Sequence, residues 1–185
     1  VQRLARDGAA VAFTYKGSTA QAQALAAGIE AAGGRALAIQ ADAGDAAALT
    51  GSINQAAHHF GKIDILVNNA GVLLLGSVEG FSLEDLDRTL EVNVRAVFVA
   101  SKAVLPYMGA GGRIINIGSV NADRMPFAGG AAYAMSKSAL QGLVQGLARD
   151  LGQIRTFSRR IGVLRRRRKR QGRPVAGQPI DDLAQ

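Results

Sequence analysis

The sequence predicts an α/β protein built on a doubly wound parallel sheet, and three observations lead to this. Short apolar runs of strand length alternate with longer helical segments up to about residue 152. These runs are almost continuously hydrophobic, which is typical of parallel strands covered by helices on both faces. The most notable polar residues follow directly after the runs, at the sheet edge where ligands bind in such folds.

The predicted elements follow one another in a regular order. The chain opens in the last turns of a helix over 1–7, which Gly8 ends. Strands are predicted over 9–15, 35–40, 63–67 and 113–118, and helices over 19–32, 45–60, 82–108 and 131–151. Asp45 and Ser82 stand where side-chain oxygens can accept hydrogen bonds from the free N–H groups of a helix start. We therefore expect both residues to be N-caps.

The positive charge of the chain is confined to its end. The net charge is +8, yet acidic and basic residues balance over 1–154, so the whole excess lies in 155–185. An arginine-rich run can bind nucleic acid or an anionic membrane by releasing counterions, or it can be a disordered tail of like charges. We favour the tail, because no aromatic stacking residues alternate with the arginines. Nucleic acid is not expected as a partner.

Composition excludes several classes of site. The chain has no cysteine, which rules out disulfides and thiolate metal sites. His58 and His59 have no acidic partner at ligand spacing, so we expect them on a helix surface and predict no metal. No apolar run approaches the ~18 residues of a membrane span, and no signal peptide opens the chain. A cytoplasmic enzyme is the expectation.

One pair of residues has the spacing of a proton-transfer site. Tyr133 and Lys137 are four positions apart in a predicted helix and thus lie on one face. A neighbouring cation favours the phenolate and lowers a tyrosine pKa from about 10 towards working pH. Such a phenol can give or take a proton during a reaction. Taken alone, the pair is better explained as an ordinary exposed helical pair.

Further motifs precede this pair in order along the chain. They are Asp42 after a strand, the run Asn68-Asn69-Ala70-Gly71, Asn93 in a helix, and Ser119 at a strand end. Together with the Tyr-x-x-x-Lys spacing of Tyr133 and Lys137, they make the sequence resemble the short-chain dehydrogenase/reductase family in its classical form, which has a Rossmann-like fold.

The resemblance implies transfer of a hydride between a nicotinamide and a carbonyl carbon. It implies that Ser119 and Tyr133 donate to the carbonyl oxygen, where negative charge grows, and that Tyr133 supplies the proton. Lys137 would hold the nicotinamide ribose, and Tyr133 would contact the cofactor as well. Asn93 would hold a water that links Lys137 to solvent. The alternatives are a strand-end cap for Ser119 and a buried amide bonded to backbone for Asn93.

The resemblance also assigns cofactor contacts. Asp42 would meet the adenine ring, and Asn69, Ala70 and Gly71 would line the adenosine ribose. Asn68 and Asn69 are equally suited to bonding neighbouring strands. The end of the first strand has no acid that would bind the ribose of NAD; Lys16 and Ser18 can meet a phosphate there. We therefore expect NADP(H) to be favoured over NAD(H), the alternative being a solvated lysine and a helix-capping serine.

The sequence departs from the family pattern at both ends. The family's first strand and Gly-rich turn, which holds the cofactor pyrophosphate, are absent, so we expect a truncated and incomplete sheet. After residue 152 the family pattern is lost and the final strands are missing. We therefore divide the chain into a partial domain over 1–152 and a basic, disordered tail over 153–185. A reading-frame slip in a GC-rich gene is one hypothesis for this tail.

The predicted function is the NADP(H)-dependent interconversion of a small-molecule carbonyl and an alcohol, with Tyr133 as general acid and base. The alternatives are a non-catalytic nucleotide-binding or regulatory protein on the same fold and an inactive, truncated gene product. A homo-oligomer packed through the helices at 82–108 and 131–151 is expected.

Overall fold

The computed structural model describes residues 1–161 and has the alternating order that the sequence predicts. Its strands are β1 (Ala10–Tyr15), β2 (Arg35–Gln40), β3 (Ile65–Asn68), β4 (Arg113–Ser119) and β5 (Arg155–Ile161). Its α-helices are α1 (Gln2–Arg6), α2 (Thr19–Ala31), α3 (Ala46–Phe60), α4 (Leu83–Leu90), α5 (Ala96–Val104) and α6 (Ala131–Asp150).

The strands form two separate parallel sheets. β1 pairs with β2 in one, and the other has the order β3-β4-β5. The predicted incomplete α/β fold is thereby confirmed. β3 is an edge strand in the described part of the chain, and its apolar residues Ile65 and Val67 are 50% and 43% exposed. An unpaired edge with exposed apolar side chains is a surface suited to further strand pairing.

Each sheet has its own core. The two-stranded sheet is covered by a small cluster of Ala5, Ile29 and Ala36. The larger cluster lies between α3, α5 and the three-stranded sheet, and its members are Leu49, Ile53, Ala96, Ala100, Val104, Met108 and Ile114. The larger cluster of buried apolar residues therefore supports the three-stranded sheet, whose central strand β4 ends at Ser119.

The predicted helix over 82–108 is divided by a π turn at Glu91–Arg95, which separates α4 from α5. A π turn holds one more residue than an α turn and often occurs at functional sites. The predicted caps are confirmed: Ser82 accepts from Asp85 N at 3.0 Å, and Asp45 accepts from the N–H groups of Ala47 and Ala48.

The three-stranded sheet extends past residue 152, where the sequence predicts the end of the domain. β5 pairs in parallel with β4 over seven residues, from Arg113↔Arg155 to Ser119↔Ile161. Strand pairing uses main-chain hydrogen bonds and does not require apolar side chains. A strand with this basic sequence could therefore not be predicted from hydrophobic pattern. The predicted boundary is thus too early for the sheet. The remainder of the predicted tail, with its arginine run, lies outside the described residues.

Within residues 1–161, no helix is both long and apolar enough to cross a membrane. The same residues contain no group of three or more His, Cys, Asp or Glu that could hold a metal ion. His58 and His59 are exposed near the end of α3, as expected. The His58 ring meets Tyr107 edge-on, with ring centroids 6.3 Å apart.

Candidate active site

Three elements supply the four candidate catalytic residues. Ser119 is the last residue of β4, and Asn93 lies in the middle of the π turn. Tyr133 lies in the first turn of α6, and Lys137 follows one turn later. Ser119, Asn93 and Lys137 are buried, whereas Tyr133 is half-buried and keeps access to solvent.

Lys137 is a buried cation held beside Tyr133. Lys137 is only 6% exposed, and its Nζ donates to the carbonyl of Ile117 at 3.0 Å. The Nζ lies 6.0 Å from the centroid of the Tyr133 ring. Burial lowers the pKa of Lys137 below its ordinary value, because desolvation penalises the ammonium form. The hydrogen bond to Ile117 fixes this ammonium at the end of β4.

The Asn93 side chain is a buried amide bonded to backbone, which was its alternative interpretation. Its Oδ1 accepts from Val72 N at 2.8 Å, and its Nδ2 donates to Val72 O at 2.9 Å and to Ser136 Oγ at 3.0 Å. Both amide hydrogens are therefore committed. These contacts support a positioning role for the side chain, and the role of holding a water stays a prediction.

Ser136 was missed by sequence reasoning. Its hydroxyl is fully buried, accepts from Asn93 Nδ2 and donates to the carbonyl of Tyr133 at 2.7 Å. Adjacent residues of α6 thus tie the helix to two different segments, Ser136 to the π turn and Lys137 to β4. The only signal in the sequence was a small polar residue next to Lys137.

Ser119 has the capping role that was its alternative interpretation. Its Oγ accepts from Asn121 N at 3.1 Å and begins a 3₁₀ turn at Val120–Ala122. This bond uses the oxygen as an acceptor, so the hydroxyl proton stays available for donation to a ligand. Capping and donation to a carbonyl oxygen are thus compatible.

In the Asn68–Gly71 motif after β3, the first residue joins two strands and the next three are exposed. Asn68 Nδ2 donates to Asn116 Oδ1 at 2.8 Å, which joins β3 to β4. Asn69, Ala70 and Gly71 are exposed. A Cβ added at Gly71 would lie 3.2 Å from Asn93 Oδ1 and 3.3 Å from Lys137 Nζ. Glycine therefore keeps the backbone close to both side chains and open to a ligand on its exposed side.

The candidate phosphate and adenine contacts lie together at the ends of β1 and β2. Lys16 Nζ is 2.7 Å from Asp42 Oδ2, so the lysine is in an ion pair and not simply solvated. Ser18 is at the N-cap position of α2 without a side-chain capping bond. The pKa of Asp42 is lowered to about 2, first by Lys16 and then by the backbone N–H of Gly44 and by Arg88.

Comparison with known proteins identifies the family. The model of the short chain dehydrogenase family matches residues 1–163. A short-chain dehydrogenase/reductase structure from Serratia marcescens is 58% identical with a TM-score of 0.83, covering 85% of this chain and 65% of that one. A Burkholderia cenocepacia short chain dehydrogenase in complex with NADP is 55% identical with a TM-score of 0.80, covering 83% and 63%.

A curated relative is the cyclic-di-GMP-binding biofilm dispersal mediator protein of Escherichia coli. It is 45% identical over 152 residues, which are 82% of this chain and 60% of the relative. The chain thus spans about 60% of the length of this relative. With the family model matching most of its length, and with the fold and motifs in agreement, the chain belongs to the short chain dehydrogenase family.

Proposed function

We propose that this chain carries the proton-transfer and adenosine-binding part of an NADP(H)-dependent oxidoreductase that interconverts a carbonyl and an alcohol. The observation that supports this most directly is the juxtaposition of Lys137, Gly71 and Asn93 beside the half-buried Tyr133. A buried ammonium next to an accessible phenol is an arrangement suited to acid–base catalysis. Sequence identity above 50% to a dehydrogenase in complex with NADP supports the choice of cofactor class.

The residues present fit the ribose and adenine parts of a nicotinamide dinucleotide. Gly71 leaves its backbone open beside Lys137, so a ribose can approach the ammonium without meeting a side chain. Asn69 and Ala70, which precede Gly71, are exposed and would line the adenosine ribose. The cofactor, when bound, supplies or accepts the hydride. This chain contributes the residues that hold the cofactor: Lys137 would bind the ribose hydroxyls, and Asp42 would accept a hydrogen bond from the adenine ring.

Tyr133 would act as general acid in reduction and general base in oxidation. Its phenol donates a proton to the carbonyl oxygen as the alcohol forms, and the neighbouring Lys137 ammonium stabilises the phenolate left behind. Ser119 donates a hydrogen bond to the same oxygen and stabilises its growing negative charge. Asn93 holds the Val72 backbone and α6 together, so that the phenol and ammonium keep their spacing.

Removing one oxygen atom tests the catalytic proposal. Tyr133→Phe should abolish NADPH-dependent reduction across a panel of aldehydes and ketones, by at least about 100-fold as for loss of a general acid. NADPH affinity, measured by fluorescence titration, should change little. Tyr107→Phe is the matched control, since the Tyr107 hydroxyl bonds Asn54 at 3.2 Å, away from the site. Equal turnover by Tyr133→Phe and wild-type protein would refute the proposed role.

The preference for NADP(H) rests on Lys16 and Ser18. Both are exposed at the end of β1, and residues 13–18 at that strand end include no acid that would bind the ribose hydroxyls of NAD. Lys16→Met should weaken NADPH binding by roughly tenfold and leave NADH binding nearly unchanged, as expected for losing one charge-assisted contact. Tighter binding of NADH than of NADPH to the wild-type chain would contradict this preference.

A second candidate is a non-catalytic nucleotide-binding protein. The name of the Escherichia coli relative, which describes a cyclic-di-GMP-binding protein, is the observation that favours it. Titration with cyclic di-GMP and with NADPH, each followed by the carbonyl panel, separates the candidates. Binding without turnover favours the second, and neither binding nor turnover favours an inactive chain.

Self-association through the helices at 82–108 and 131–151 is part of the proposal. Leu83, Phe98 and Met135 are large apolar residues that these helices leave exposed. Exposed apolar surface on neighbouring helices is typical of protein interfaces. Phe98→Glu should therefore shift the chain towards the monomer in analytical ultracentrifugation, and an unchanged mass would exclude Phe98 from an interface.

A further inference from the structure

A network of charges joins the end of β2 to helix α4, and motif matching did not reveal it. We propose that Arg88 is a positioning residue that holds the Asp42 carboxylate ready for the amino group of an adenine ring. This inference rests on the proposed nucleotide-binding function and adds a residue to it. Arg88 lies on a helix that the motifs do not connect with the nucleotide.

The Asp42 carboxylate is held by three partners with different degrees of freedom. Gly44 N donates to Oδ1 at 2.9 Å, and this backbone contact is fixed. Arg88 Nη2 lies 3.2 Å from Oδ1 and 3.3 Å from Oδ2, and so contacts both oxygens. Lys16 Nζ lies 2.7 Å from Oδ2.

The guanidinium of Arg88 has a defined place. Its Nη1 donates to Glu91 Oε2 at 3.1 Å, which anchors the side chain on its own helical segment. The same nitrogen lies against Gly44, where an added Cβ would collide with it. The missing side chain of Gly44 thus leaves the room in which Arg88 reaches Asp42 from another element of the fold.

Lys16 is the partner that can leave. Its side chain is 68% exposed, whereas that of Arg88 is 33% exposed. A phosphate on the nucleotide carries more charge than a carboxylate and attracts the lysine. When Lys16 turns to the phosphate, Asp42 Oδ2 is freed to accept from a donor. Arg88 and Gly44 then keep the carboxylate ionised and in the same orientation.

This exchange distinguishes adenine from hypoxanthine. A carboxylate is an acceptor only, so it binds the 6-amino group of adenine. Hypoxanthine carries a carbonyl oxygen at that position, and two acceptors repel. A carboxylate that is fixed and ionised therefore favours adenine over hypoxanthine, and one that can rotate away does so less.

The experiment uses nucleotides that need only this corner of the site. Adenosine 2′-phosphate and inosine 2′-phosphate are titrated into the 185-residue chain by calorimetry or NMR, with wild type, Arg88→Met, Arg88→Lys, Lys16→Met and Arg95→Met. Arg95 is an exposed cation in the adjacent π turn, so Arg95→Met controls for loss of one charge. Denaturant unfolding of each variant checks that the fold is retained.

The wild-type chain should prefer the adenosine compound by about tenfold, the value of one charge-assisted hydrogen bond. Arg88→Met should bring this ratio towards one, and Lys16→Met should weaken both compounds and keep the ratio. Arg95→Met should change neither. If Arg88→Met does not fold, Arg88→Lys decides, because a lysine keeps the charge but lacks the two-nitrogen fork that bonds Glu91 and Asp42 together, and should lower the ratio in part.

The inference is overturned if Arg88→Met weakens both compounds equally, or if neither compound binds the wild-type chain. Its failure is distinguishable from failure of the proposed function. Adenine preference that depends on Arg88, with no carbonyl turnover, keeps the inference and rejects the oxidoreductase. Carbonyl turnover, together with an adenine preference that is unchanged in Arg88→Met, supports the oxidoreductase and rejects the inference.

Discussion

The two sheets of the molecule differ in how they are held. The β1-β2 sheet rests on a small cluster of Ala5, Ile29 and Ala36, whereas the β3-β4-β5 sheet rests on a larger one. The small unit carries the exposed, charged residues that are proposed to contact a nucleotide, and the large unit holds buried polar groups around Tyr133. Rigid support thus accompanies the residues proposed for chemistry, while the residues proposed for recognition keep freedom to rearrange.

The largest expected effect comes from emptying the larger core. Ile114→Ala should lower the free energy of unfolding by about 4 kcal/mol, because Ile114 is fully buried and a cavity would remain. Ile29→Ala, in the small cluster, should cost about 2 kcal/mol, since that surface can collapse more easily. Urea unfolding followed by circular dichroism measures both. Equal losses would show that the two cores are equally packed.

Next in size is the loss of the Ser136 hydroxyl. Ser136→Ala should cost about 2 kcal/mol, because it leaves one of the two buried hydrogens of the Asn93 amide without its acceptor and removes the hydroxyl's bond to the Tyr133 carbonyl. The amide of Val72, which Asn93 holds, should exchange its hydrogen faster. Ser101→Ala is the control, since the buried Ser101 hydroxyl bonds only Val97 O within its own helix. Identical exchange at Val72 in both variants would argue against a link through Asn93.

A smaller effect is expected from titrating Asp42. Its pKa of about 2 lies below the ordinary 3.8, so its contribution is present above pH 3.8 and is lost as the pH falls towards 2. After allowance for its solvent exposure, the contribution is about 1 kcal/mol. The stability difference between wild type and Asp42→Asn should therefore shrink between pH 5 and pH 2. Asp64→Asn, which removes an exposed pair with Lys62, serves as control. A difference that stays constant over this pH range would contradict the assignment.

The smallest change in stability is expected at the edge of β3. Val67→Lys should alter the free energy of unfolding by less than about 0.5 kcal/mol, because the side chain is exposed. It should nevertheless reduce aggregation measured by light scattering, since a charged edge resists strand pairing. Leu73→Lys changes an equally exposed apolar residue outside any strand. If both substitutions act alike, general apolar contact and not edge pairing is responsible.

Features set by local sequence were predictable. The caps at Asp45 and Ser82 and the order of strands and helices depend on nearby residues, and the structure has them as expected. The incomplete sheet followed from the missing first strand of the family pattern. The strand over Arg155–Ile161 was hidden because its side chains lack an apolar pattern, although its backbone pairs normally.

Contacts between residues distant in the chain could not be predicted. Ser136 and Asn93 are 43 positions apart, and Arg88 and Asp42 are 46 apart. Neither pair belongs to a motif that links its members. The π turn was equally hidden, because one extra residue in a helix scarcely changes a hydrophobic pattern.

The π turn makes the length of its segment matter as much as its composition. Deleting one residue from Glu91–Arg95 would restore an ordinary α-helix and turn α4 by about 100° relative to α5. Arg88 would then point away from Asp42, or Asn93 would leave Ser136, since one continuous helix cannot satisfy both. A single extra residue thus sets the angular phase between the residues proposed for nucleotide recognition and those proposed for proton transfer.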